Sequence, residues 1–107
     1  MTYSSDEQRA NISGVWNLTL AAPTGKQSVR VEIARGDNCY IGTATQGSET
    51  VALCDLSVKG NCASWNQRIK RPFPMSISFD LLFMENEVSG ICNPGIFPKV
   101  KVTGSRE

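Results

Sequence analysis

Residues 75–83 read MSISFDLLF. Met75, Ile77, Phe79, Leu81 and Phe83 share one parity, with Ser76, Ser78 and Asp80 between them. In an extended chain successive side chains point to opposite faces, so this run describes a strand with one apolar and one polar face. On a helix the same residues would be scattered around the axis. Working outward, Val29, Val31 and Ile33 alternate with Arg30 and Glu32, and Trp16, Leu18 and Leu20 with Asn17 and Thr19. After residue 13 no segment sustains apolar residues at the i, i+3, i+4, i+7 spacing of an amphipathic helix, so the chain reads as all-β.

Turn chemistry divides these runs. Ala22-Pro23-Thr24-Gly25, Gly36-Asp37-Asn38, Gln46-Gly47-Ser48, Lys59-Gly60-Asn61, Arg71-Pro72-Phe73-Pro74, Glu85-Asn86-Glu87 and Asn93-Pro94-Gly95 are seven breaks, which leave eight strands. Their expected spans are 14–21, 27–34, 38–45, 49–58, 61–69, 75–84, 87–92 and 97–104. Connections this short cannot make parallel crossovers, so neighbours run antiparallel. An antiparallel meander with one apolar face buries that face and removes both edges by closing on itself. The expected fold is therefore an eight-stranded antiparallel up-and-down β-barrel. Residues 13–107 form this single domain, and residues 1–12 are expected to be a flexible N-terminal arm.

Composition removes several functions. The chain has 107 residues, with 11 Lys and Arg against 10 Asp and Glu, so no net field draws it to nucleic acid or to an acidic membrane. The polar start, MTYSSDEQRANIS, lacks the apolar core of a secretory signal, and no run reaches the roughly 18 apolar residues of a membrane span. A cytoplasmic protein is the expectation. Cys39, Cys54, Cys62 and Cys92 show no C-x₂-C spacing and the chain has no histidine, which argues against zinc and, in this compartment, for free thiols. No phosphate-binding loop or dinucleotide fingerprint is present, and no cofactor is expected. The missing histidine also removes Ser-His and Cys-His nucleophile systems.

Gly14-Val15-Trp16 in the first strand, together with Arg106 directly after the last, resembles the signature of the calycin superfamily, which includes lipocalins, fatty-acid-binding proteins and avidins. The resemblance implies a calycin-like barrel whose tryptophan plugs one end and whose late arginine lies over the indole. Gly14, Trp16 and Arg106 are then structural residues. A guanidinium over an indole face is a favourable cation–π contact, and closure makes the first and last strands neighbours. The later tryptophans with which avidins enclose biotin have no counterparts beyond Trp65, so biotin is not implied.

With Trp16 at the bottom, alternation assigns every loop to an end. The opposite mouth carries Ala21, Pro23, Pro72, Phe73, Pro74, Pro94, Ile96 and Phe97, and also Lys26, Arg68, Lys70 and Arg71 against Glu49. An apolar cavity with a positive rim suits an amphipathic anion. Trp65, Met75, Ile77, Phe79 and Phe97, with Arg68 and Lys26, are the candidate ligand-binding residues. Tyr40 and Gln67 are polar groups on the inward face that each need a hydrogen-bond partner, either a ligand or a neighbour. Two plainer readings stand beside these: prolines end strands, and lysines solvate loops.

Three functions follow. The first is binding of a small hydrophobic or amphipathic, anionic molecule inside the barrel. The second is cofactor-free catalysis by an isomerase, cyclase or lyase in the same cavity, with Tyr40 and Gln67 as donors and Asp55 as base. The third is a structural or homo-oligomer-forming barrel, because exposed apolar loops mark contacts.

Overall fold

The structure, a computed structural model, describes residues 12–23, 25–36, 39–70, 74–95 and 98–107. The described residues form β1 (Gly14–Ala22), β2 (Gly25–Arg35), β3 (Tyr40–Gln46), β4 (Glu49–Ala52), β5 (Cys54–Lys59), β6 (Cys62–Ile69), β7 (Met75–Met84), β8 (Glu87–Asn93) and β9 (Val100–Arg106). No helix occurs among them, so none is long and apolar enough to cross a membrane. The strands make one antiparallel sheet in the order β4-β3-β2-β1-β9-β8-β7-β6-β5. The first and last strands pair, from Trp16 opposite Arg106 to Leu20 opposite Val102. The fold is an all-β, up-and-down, nearly closed barrel.

Nine strands replace the expected eight because the segment expected at 49–58 bends partway. β4 pairs with β3, and β5 pairs with β6, so one bent segment passes the ladder from one side of the seam to the other. Leu53 sits at the handover, where its N–H donates to the Gly42 carbonyl at 2.9 Å. Asp55 has φ 54°, and the β5–β6 register shifts between Cys54 and Ser57. The extra residue of this bulge reverses the parity of the wall. Val51 and Leu53 face inward before it, and Leu56 and Val58 pack against the core after it.

Alternation holds along the other strands. Trp16, Leu18, Leu20, Val31, Ile33, Trp65, Phe79, Leu81, Val88, Val100 and Val102 are buried as the pattern requires, while Ser76, Asp80, Leu82 and Met84 face outward. Each large aliphatic or aromatic side chain sealed this way contributes about 1.5–3 kcal/mol. Inward positions filled by Gly42, Gly90 and Gly104 let the curved wall close over larger neighbours. A Cβ on Gly90 would collide with the Asp80 carbonyl and with Leu81.

Candidate functional site

The two ends of the barrel differ. At the end where β1 begins, Trp16 is fully buried and its indole N–H donates to the Ile12 carbonyl at 2.9 Å. Phe83 meets it edge-on, with ring centroids 4.8 Å apart. The Arg106 guanidinium lies over the indole, 4.3 Å from the ring centroid. It also donates to the Ser13 carbonyl at 2.7 Å and to the Glu85 carbonyl at 3.1 Å. Gly14, at φ 130°, leaves room for that guanidinium; a Cβ there would stand 3.0 Å from its Nη1. Ile12, assigned to the arm by the sequence reading, is instead a fully buried part of the plug. The rest of that arm, residues 1–11, lies outside the described residues.

At the other end the wall encloses a cavity of about 870 Å³. Leu20, Val29, Met75, Ile77, Phe79 and Val100 supply apolar lining, and Pro23, Pro94 and Pro98 stand at its mouth. Gln27 and Gln46, also in the lining, are joined by an amide–amide hydrogen bond of 3.1 Å. Cys92 lines the wall opposite Phe79 in the ladder, and burial pushes its thiol pKa up, which keeps it protonated and weakly nucleophilic at neutral pH. All four cysteines are free.

One side chain gives this apolar chamber direction. Among the described residues Gln67 is the buried polar side chain of the core, 5% exposed, and it lines the cavity. Its Oε1 accepts from Trp65 Nε1 at 2.9 Å. An indole nitrogen only donates, so the amide is held with its carbonyl toward Trp65 and its NH₂ turned away. Trp65 is in turn fixed by stacking on Phe79, with centroids 5.3 Å apart and ring planes 17° apart. Two same-face residues of β6 and one of β7, in register opposite Trp65, thus lock a single amide.

The sequence-derived candidates divide by location. Met75, Ile77, Phe79 and Gln67 meet in the cavity, and Trp65 supports them from one inward step deeper. Lys26 and Arg68 are exposed on the outer faces of β2 and β6 and do not line the cavity, because the neighbouring Gln27 and Gln67 take the inward positions. The expected positive rim is not formed by these two residues, and the one charged side chain in the described lining is Glu49. Tyr40 lies toward the plugged end, with the Arg35 guanidinium 5.9 Å from its ring centroid. Asp55 is exposed on the bulge, and Asn66 Nδ2 donates to its carboxylate at 3.4 Å. The trio Tyr40, Gln67 and Asp55 is therefore not brought together. Phe97, and Arg71, Pro72, Phe73 and Ile96, which the sequence assigns to the mouth, lie outside the described residues, as does Asp37. Among the described residues no group of three or more His, Cys, Asp or Glu side chains is placed to hold a metal ion.

Alternation misses the lining role of Gln27, Gln46 and Cys92. A polar residue beside a strand end carries no apolar signal, although Gln27 shares parity with Val29 and Val31, and Cys92 shares parity with the inward Val88. Compared with known proteins, the chain matches no family, no curated protein and no solved structure.

Proposed function

We propose that this protein is a binding barrel that takes a small, largely apolar molecule with one polar end into its open half. The observation that carries the reading is the contrast between the ends. One is filled by Trp16, Phe83 and Ile12 and capped by Arg106, while the other holds an apolar chamber with one buried amide. Natural cores pack to crystal-like density, so a large apolar void at one end of a well-packed barrel is the form a ligand site takes. The plug of Gly14, Trp16 and Arg106 supports kinship with calycin-like barrels on architecture alone. Four free cysteines suit a reducing, cytoplasmic setting.

Native mass spectrometry of protein taken directly from its host, followed by denaturation and analysis of what is released, tests the reading. The expected result is one small amphipathic molecule per chain. Ile77→Trp, which fills the chamber with an indole, is expected to abolish that mass and to remain folded by circular dichroism. Protein that arrives empty and also fails to take up an apolar fluorescent probe overturns the proposal.

A further inference from the structure

We infer that the polar end of the ligand is an uncharged carbonyl, such as a ketone, ester or lactone, seated on the side-chain NH₂ of Gln67. The inference rests on the binding reading above and names the chemical class of its ligand.

The donor-only indole of Trp65 fixes which end of the amide is available. With Oε1 engaged, Gln67 presents two N–H donors and no acceptor of comparable freedom. No completely buried side-chain nitrogen or oxygen among the described residues lacks a partner. The Gln67 Nε2 makes no hydrogen bond to any of them, so it is open to the cavity that Gln67 lines. A buried donor pair facing an apolar chamber stabilises an acceptor and discriminates against a ligand that leaves it unmet. A carbonyl oxygen, with two lone pairs, matches two N–H groups.

Charge decides between a carbonyl and a carboxylate. The anion would lose its hydration among Leu20, Val29, Ile77 and Phe79 and would receive only neutral donors from the described lining in return. The charged side chain in the described lining, Glu49, is itself an anion, and Lys26 and Arg68 face the outer solvent. A ligand ammonium is disfavoured from the other side, because it would point donors at donors.

Octane, 2-octanone and octanoate, identical in chain length, form the test set. Binding is followed by calorimetry and by the NMR shift of the Gln67 side-chain amide at neutral pH. The expected order is 2-octanone tighter than octane by about five- to tenfold, the yield of one hydrogen bond in a desolvated site, with octanoate weakest and a shifted Gln67 NH₂ for the ketone alone. Gln67→Leu is expected to equalise ketone and alkane. Gln67→Met, which keeps a weak sulfur acceptor for the Trp65 N–H, covers the case in which leucine perturbs folding and is expected to give the same equality. Equal binding of octane and 2-octanone to the wild-type protein, or octanoate as the tightest ligand, overturns the carbonyl assignment and leaves the binding barrel standing. Failure of all three to bind overturns both.

Discussion

Arg106 concentrates several interactions in one side chain. Its guanidinium covers an indole that is fully buried, and it closes two backbone carbonyls, those of Ser13 and Glu85, that belong to the segment before β1 and the turn after β7. A cation–π contact shielded from water is worth about 2 kcal/mol, and a hydrogen bond about 0.5–1.5 kcal/mol net of exchange with water, the exposed one to Glu85 at the low end. Arg106→Ala is therefore expected to destabilise the barrel by about 2–4 kcal/mol, seen as a lower urea midpoint with unchanged slope. Arg106→Lys keeps the charge but loses the planar fork, and belongs between the two. A midpoint unaltered by alanine would mean that the plug holds without its cap. Gln67 shows the opposite economy: one hydrogen bond from Trp65 leaves its other end open to the cavity.

At the scale of elements, the segment carrying β4 and β5 determines whether the wall closes. Eight straight strands with unbroken alternation would turn either Val51 and Leu53 or Leu56 and Val58 to solvent; the bulge lets both pairs face the core. Asp55 makes this turn with a left-handed backbone, φ 54°, which aspartate tolerates better than most residues and β-branched residues tolerate poorly. Asp55→Val is expected to cost about 1–2 kcal/mol in chemical unfolding, whereas Asp55→Gly stays within about 1 kcal/mol of the wild type. Equal stabilities for the valine and glycine proteins would show that the parity reversal does not depend on that conformation. The same segment marks where sequence reading loses resolution. Period-two alternation specified the long strands, because Met75 to Phe83 and Trp16 to Leu20 have one apolar face each. Between residues 49 and 59 apolar side chains fall on both parities, and a positive φ at aspartate leaves no mark as clear as a glycine. The site was legible to the extent that it is apolar: Met75, Ile77 and Phe79 follow from alternation, and Gln67 from its place in it. The direction of the Gln67 amide depends on its contact with the Trp65 indole, which alternation does not encode, whereas the outward faces of Lys26 and Arg68 follow from the inward parity of Gln27 and Gln67 and are missed when cations are placed by loop end alone.

Across the whole molecule, packing is uneven from end to end, and stability should follow it. Toward the plugged end Ile12, Trp16, Phe83 and Val88 are sealed within one cluster, and Glu107 N–H still reaches the Val15 carbonyl at 2.8 Å to extend the closing ladder. Toward the mouth Ile69, Met75 and Ile77 are only partly buried, because the cavity takes the space a neighbouring side chain would fill. Between Asn66 and the end of β6 the strand has no ladder partner among the described residues on the side facing β4, so the seam they form is open beside the chamber. Fewer packed neighbours and an unpaired edge lower the free energy of local opening without lowering that of the global transition. Amide hydrogen exchange on the ligand-free protein is therefore expected to be slowest around Trp16–Leu18 and Leu81–Phe83, and faster by one to two orders of magnitude at about the same intrinsic rate for Gln67–Ile69 and Met75–Ile77. A molecule seated in the chamber would restore contacts to the mouth half alone, so filling it should slow the second group and leave the first unchanged. Uniform protection along β6 and β7 would mean that the barrel opens only as a unit, and that the cavity places no strain on the wall around it.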